Sequence, residues 1–269
     1  MTTWLDRLMP DFLGIGAMRA GTSWLAENLR RHPRIWIGRK EQHFFDRHLD
    51  GGGLGWLHAD RVARARYGVR FLPGALRGRL TGDLTPRYAI LPPEVIARVA
   101  AWMPEVKLLM MLRDPIERAW SQARHDVPAL TAPGTPPKAE LFQFFEQPRV
   151  RQRGDYLGCL RNWLTAFERR QLWVGFLEEV ALDARAVARD ALRFLGVEPA
   201  GGVQWVVDPV HAAPPAPMPD AVRRHLEALH DGWAAELETL IGRPVPWPRL
   251  EFPPRESLSA QVDHREDQP

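Results

Sequence analysis

Residues 14 to 24, GIGAMRAGTSW, combine glycines at 14, 16 and 21 with a cation, Arg19, and two hydroxyls, Thr22 and Ser23. A glycine-containing turn between a strand and a helix leaves backbone N–H groups aimed at one point, which suits an anion such as phosphate or sulfate. Gly16 to Ser23 almost reads as the nucleotide-hydrolase loop G-x-x-x-x-G-K-[ST], but Thr22 stands where that motif carries its lysine. A triphosphate would lose its main counter-charge there. The cation at Arg19, three positions upstream, lies where it can act on a group carried by a single phosphate.

Two further clusters carry chemistry. In LLMMLRDPIERAWSQ, residues 108 to 122, Arg113 ends an apolar run and Ser121 follows eight residues later, two turns into the next helix. Both can face one anion, and a guanidinium can hold a phosphate dianion through two parallel hydrogen bonds. Asp114 could be read as a magnesium-binding acid, but its place before Pro115 is that of a helix cap. In GRKEQHFFD, residues 38 to 46, Lys40 and Glu41 are adjacent and His43 follows. A carboxylate within reach of an attacking O–H or N–H can take its proton, which calls for a raised pKa. Away from such a partner, Lys40 and Glu41 would be an ordinary solvated charge pair.

Arg19-Ala20-Gly21-Thr22-Ser23-Trp24 resembles the phosphosulfate loop of the sulfotransferases that use 3′-phosphoadenosine 5′-phosphosulfate (PAPS). RDPIERAWS resembles the arrangement by which that family holds the donor's 3′-phosphate. The resemblance implies that Gly21, Thr22 and Ser23, with Ala20 in the same loop, bind the 5′-phosphate and that Trp24 stacks on adenine. Arg113 and Ser121 would hold the 3′-phosphate. KEQHFF is similar to the KExxFF segment of carbohydrate sulfotransferases of the heparan sulfate type, which makes Glu41 the implied base and Lys40 and Arg19 its electrostatic partners. His43 is the alternative base, by analogy with the histidine of small-molecule sulfotransferases. GDLTPRYAI, residues 82 to 90, resembles a family segment that would bring Arg87 and Tyr88 to the acceptor, and RGDYLGCL resembles one that would bring Tyr156 to the donor. Cys159 stands where many relatives have histidine. The resemblance runs over roughly residues 11 to 248, but HAAPPAPMP, 211 to 219, replaces the basic glycine-containing loop that closes the donor site in many carbohydrate-type relatives.

The implied activity is transfer of a sulfuryl group from PAPS to a hydroxyl or amine of a carbohydrate or small-molecule acceptor, releasing adenosine 3′,5′-bisphosphate (PAP), with no metal. The alternatives are a nucleotide kinase or GTPase-like protein with a degenerate loop, against which the missing lysine argues, and a silent module that binds sulfated glycans.

These clusters need elements to carry them. Phe12 to Ala17, Ile35 to Ile37, Arg79 to Asp83, Val106 to Leu112 and Leu172 to Phe176 read as short strands. Helical spacing marks 22 to 31, 92 to 103, the stretch after Asp114, 153 to 167, 183 to 195 with Gly196 as its cap, and one long helix over 219 to 241. His32 is expected to close the first helix and His125 to lie past the Ser121 turn. Residues 128 to 138 are too rich in proline and glycine for regular structure and read as a surface loop. Strands alternating with helices predict an α/β, three-layer, P-loop-like fold whose mainly parallel central sheet is flanked by helices, with the ligand beyond the carboxyl ends of the strands. One domain over 1–248 and a flexible C-terminal tail over 249–269 are expected, with fraying from Arg243 onward.

The bulk properties fit. With 36 Lys+Arg against 33 Asp+Glu, the chain carries a net +3 spread along its length, which suits a small anionic ligand better than nucleic acid. One cysteine rules out an internal disulfide or a cysteine-rich metal site. The start lacks the pattern of a secretory signal and no apolar stretch is long enough to span a membrane, so a cytoplasmic address is expected. The sequence leaves the acceptor and dimerisation open.

Overall fold

Five parallel strands, in the order β2-β3-β1-β4-β5, form the centre of the molecule. The computed structural model describes residues 8–47, 60–199, 203–207, 210, 216–230 and 234–247. The expected tail, 249–269, and residues 211–215 of the HAAPPAPMP segment lie outside the described residues. The strands are β1 (Phe12–Gly16), β2 (Ile35–Ile37), β3 (Leu80–Leu84), β4 (Lys107–Leu112) and β5 (Leu172–Phe176). All five match the expected strands to within one residue at each end.

Strands buried on both faces need apolar side chains on both, which is why β4 reads KLLMML without alternation. Leu108 to Leu112 have no exposed surface. At roughly 1.5–3 kcal/mol for each such side chain removed from water, this strand alone is a large share of the driving force. Leu13 in β1 lies beside Asp83 on one side and Leu108 on the other. From β1 the chain goes first to the edge strand β2, comes back to β3 beside β1, and then crosses to the other side for β4 and β5. Open parallel sheets bind ligands at such a reversal.

The helices are α1 (Thr22–Arg30), α2 (Asp60–Gly68), α3 (Leu72–Ala75), α4 (Pro93–Trp102), α5 (Pro115–Asp126), α6 (Ala139–Glu146), α7 (Pro148–Gly154), α8 (Tyr156–Leu164), α9 (Leu177–Leu195), α10 (Asp220–Leu229) and α11 (Ala234–Ile241). Asp114 caps α5 as expected, its Oδ1 accepting from the N–H groups of Ile116 at 2.8 Å and Glu117 at 3.1 Å. Gly196 ends α9 in the left-handed conformation, φ 79°.

Three expectations are corrected. The helix over 153–167 is two helices, because Asp155 leaves helical geometry to cap α8, accepting from Gly158 N–H at 2.8 Å. The single helix over 219–241 is α10 and α11, α10 ending at Leu229 with His230 outside helical geometry. The chain after Arg243 does not fray at once, since Val245 and Trp247 are buried and the Trp247 ring meets Phe176 edge-on at 5.2 Å. The helix expected over 183–195 is the second part of α9, which breaks at Asp183 (φ −150°), where the carboxylate accepts from Ala186 N–H. No helix among the described residues is long and apolar enough to cross a membrane.

Candidate active site

The carboxyl ends of all five strands feed one cavity of about 930 Å³. Met18, Arg19 and Gly21 to Trp24 reach it after β1, Lys40, Glu41 and His43 after β2, Pro86 and Arg87 after β3, Arg113 and the far half of α5 after β4, and the first turns of α9 after β5. Sequence-distant clusters meet there because each follows a strand of the same parallel sheet.

The turn after β1 is built for close approach. Gly21 precedes α1 with φ 88°, and a Cβ added there would lie 2.8 Å from Leu177 Cδ1. Only glycine adopts that conformation without strain and packs this closely against Leu177. The helix start has no side-chain cap and no acid in its first turn, so its N–H groups stay available to an anion. Thr22 and Ser23 sit on that turn, facing the cavity. Arg19 is itself left-handed, φ 66°, which turns its side chain across the cavity so that its Nε donates to Ser121 Oγ at 3.3 Å. Burial and the neighbouring charges of Arg113 and Arg124 lower its pKa, while Asp126 opposes them. A guanidinium so placed still keeps its proton.

After β2 the backbone turns twice through the left-handed region, at Glu41 (φ 63°) and His43 (φ 48°). Non-glycine residues in such conformations cost of order 1–3 kcal/mol each and persist only where surroundings impose them. Here the imposing group is buried Asp83, whose carboxylate accepts from Tyr67 OH and Tyr88 OH at 2.9 Å, Thr85 Oγ1 at 2.7 Å and the Gln42 N–H. Glu41 N–H donates to Leu84 O at 3.0 Å and Phe44 N–H to Tyr88 OH at 3.1 Å, so the loop is stitched to β3.

The side chains that this loop presents form a chain. Asp46, 1% exposed, accepts from His43 Nδ1 at 2.7 Å, His43 Nε2 lies 3.4 Å from Glu41 Oε2, and Glu41 Oε1 accepts from Lys40 Nζ at 2.5 Å. Burial pushes the Glu41 carboxyl up, but the hydrogen bond and charge of Lys40, helped by His43, hold it below its usual value. This corrects the expectation of a raised pKa. With Lys40 in contact, Glu41 is an ion rather than a strong base, and its basicity depends on where that ammonium goes.

Of the residues singled out from sequence, Arg19, Gly21, Thr22, Ser23, Trp24, Lys40, Glu41, His43, Arg87, Arg113 and Ser121 all line the cavity. Trp24 does so with little surface, being 1% exposed with its indole N–H donated to Val206 O at 2.7 Å. Ala20, Tyr88 and Tyr156 are buried away from it. None of the three side chains is among those lining the cavity. Tyr88 is spent on Asp83 and Phe44, and Tyr156 donates its hydroxyl to Arg113 O at 2.9 Å, so both act beneath the surface by holding residues that face it. His32 is structural as expected, its buried ring bonded to Glu198 O at 3.0 Å.

Sequence reasoning missed Asp46 and the lower end of α5. Gln122, Arg124, His125 and Asp126, joined by Arg153, complete the cavity wall, with His125 Nδ1 2.8 Å from Asp126 Oδ1 and Gln122 Nε2 donating to Asp126 at 3.2 Å. The spacing of Ser121, Arg124 and His125 at three and four residues was a signal that they share a face.

The comparisons with known proteins agree with one another. The family profile described as "Sulfotransferase domain" matches residues 9–210. Human heparan sulfate glucosamine 3-O-sulfotransferase 3B1 is 29% identical over 199 residues, covering 72% of this chain and 47% of that protein. Mouse heparan sulfate glucosamine 3-O-sulfotransferase 6 is 31% identical over 167 residues, covering 60% of this chain and 44% of that one. The chain spans about half the length of the curated relatives it matches. Among solved structures, a sulfotransferase from Alicyclobacillus acidocaldarius superposes with a TM-score of 0.66 at 29% identity, covering 88% of this chain and 97% of that one.

Proposed function

Since the chain belongs to the sulfotransferase domain family, we propose that it transfers a sulfuryl group from PAPS to a hydroxyl or amine of a carbohydrate or small-molecule acceptor, releasing PAP. The observation that carries this reading is that the Gly21 turn and the Arg113–Ser121 pair open onto the same cavity, joined by the Arg19–Ser121 hydrogen bond. Two anion sites that face each other fit a nucleotide phosphorylated at both the 3′ and the 5′ position. The uncapped start of α1, with no acid in its first turn, supports the fit at the 5′ end.

The donor supplies a sulfuryl group on its 5′-phosphate, and the acceptor oxygen or nitrogen forms a bond to sulfur as the bond from sulfur to the phosphate oxygen breaks. Arg19, fixed in the turn, stabilises charge gathering on that bridging oxygen without giving up a proton, and the weakly basic phosphate needs none. Glu41 accepts the acceptor's proton, and His43, anchored by Asp46, orients it. Lys40 serves both ends of the reaction. As its ammonium is drawn from Glu41 toward the anionic group in transfer, Glu41 loses the contact that depresses its pKa and gains basicity when a base is needed.

The human and mouse relatives are named for 3-O-sulfation of heparan sulfate glucosamine. That naming supports a carbohydrate hydroxyl as the first acceptor to try. Calorimetry tests the donor directly: PAP is expected to bind far more tightly than ATP with magnesium, and the reverse order would overturn the reading.

A further inference from the structure

Arg118 is the only lysine or arginine that is buried among the described residues, at 1% exposure. It lies on α5 between Arg113 and Ser121 in sequence, but on the face turned away from solvent. Its guanidinium makes one hydrogen bond, from Nη1 to Gln122 Oε1 at 2.8 Å, and its Nε has no partner among the described residues. No carboxylate among the described residues forms an ion pair with it. Beside it lie the Gly154 backbone and the His230 ring, since a Cβ added at Gly154 would lie 3.2 Å from both Arg118 Nη2 and His230 Nε2, and Tyr156 and Cys159 are close enough to act on its charge.

A buried charge without a counter-ion is among the costliest features a fold can retain, and an apolar residue of the same size would be more stable. The positive charges around it deepen the problem. Arg113 and Arg153 both act on Arg118 unfavourably. Of the acids nearby, Glu117 lies 3.7 Å from Arg113 but 3.0 Å from Arg223, Asp126 is 3.8 Å from Arg153, and Glu178, which also acts on Arg113, accepts from Asp114 N–H. None of these pairs with the buried guanidinium, whose charge sits where water cannot screen it.

We propose that Arg118 is a positioning residue for the donor, a fixed positive charge behind the cavity wall that strengthens the hold of Arg113 and Ser121 on a 3′-phosphate and so favours nucleotides that carry one. The inference rests on the two-phosphate donor reading above. A phosphate dianion bound at Arg113 and Ser121 supplies the counter-charge that the protein itself does not, and Gln122 links the buried guanidinium to the lining.

The test compares binding of PAP and of adenosine 5′-monophosphate, which lacks the 3′-phosphate, by calorimetry in the wild type, Arg118→Met and Arg118→Lys, with a thermal melt of each. Arg118→Met is expected to weaken PAP roughly tenfold, as loss of a nearby unscreened charge should. Adenosine 5′-monophosphate is expected to change by less than about twofold and the melting temperature to hold or rise, as removal of a buried unpaired charge allows. Arg118→Lys should keep most of the preference. A purely structural arginine would instead lower the melting temperature and weaken both nucleotides alike, and that result overturns the inference. If Arg118→Met lacks a cooperative melt, Arg118→Gln, which can still reach Gln122, is measured in its place under the same two criteria. A wild type that shows no preference for PAP overturns the donor reading itself, whereas a wild type that prefers PAP with a variant that prefers it equally overturns only the role of Arg118.

Discussion

Arg19 Nε donates to Ser121 Oγ across 3.3 Å, though 102 positions separate the two residues in the chain. The bond joins the turn after β1 to the helix after β4, and so ties together the two proposed anion sites. A phosphate bound at Ser121 as proposed would compete with the Arg19 guanidinium for that hydroxyl.

Ser121→Ala removes a hydroxyl whose hydrogen bond is worth about 1–1.5 kcal/mol, so PAP affinity should fall by roughly tenfold. Arg19→Ala should lower kcat by about 10²–10³, the usual result of deleting a donor to developing negative charge, while Arg19→Lys recovers most of it. Calorimetry and steady-state kinetics separate the two effects. A loss of PAP binding in Arg19→Ala with kcat intact would contradict its assignment.

Glu41→Gln should lower kcat by roughly 10²–10⁴ while PAP affinity stays within about twofold, because in the proposed reaction the carboxylate takes the acceptor proton and holds no phosphate. His43→Ala and Asp46→Asn should give smaller losses of kcat, since each acts through Glu41. Equal turnover of Glu41→Gln and wild type would remove Glu41 as the base and leave His43 in its place.

Tyr156→Phe keeps the buried ring but loses the hydroxyl that holds Arg113 O at 2.9 Å. The variant should lose about 1 kcal/mol of stability and bind PAP a few-fold more weakly, with kcat unchanged at saturating donor. Urea unfolding and a donor titration check both numbers. A fall in kcat would mean that the hydroxyl reaches the reacting atoms.

Burial lowers the pKa of His230 to about 4 from its ordinary 6.5. A histidine kept neutral in the fold but free to charge when unfolded stabilises the protein fully above pH 6.5, and the contribution disappears as pH falls toward 4. The difference corresponds to about 3 kcal/mol. Unfolding free energies at pH 7.5 and pH 4.5 should therefore differ less in His230→Leu than in wild type. An identical pH dependence would show that His230 does not titrate with folding.

The strands and the first two clusters were legible because short-range rules decide them. Val106 to Leu112 has no alternation to confuse, Asp114-Pro115 can only begin a helix, and a glycine before hydroxyls can only turn. The roles of Tyr88 and Tyr156 were not legible. Their rings and hydroxyls are set by Asp83 and by the Arg113 carbonyl, neighbours brought in by strand pairing rather than by sequence. Asp46 and the Arg124–Asp126 end of α5 were passed over for the same reason, since a carboxylate five residues past Glu41 joins it only when two left-handed residues curl the loop. The raised pKa of Glu41 was inferred from the role of a base, whereas the adjacent ammonium, helped by His43, outweighs burial and holds it down.

Asn28 grips Val206 at both backbone atoms, its amide donating to the carbonyl at 3.2 Å and accepting from the N–H at 2.9 Å, while Trp24 donates to that same carbonyl. The helix that begins at the phosphate turn is thereby fastened to the stretch 203–207, and the two travel as a unit. Three hydrogen bonds thus converge on one residue of that stretch, and shortening Asn28 would release two of them at once.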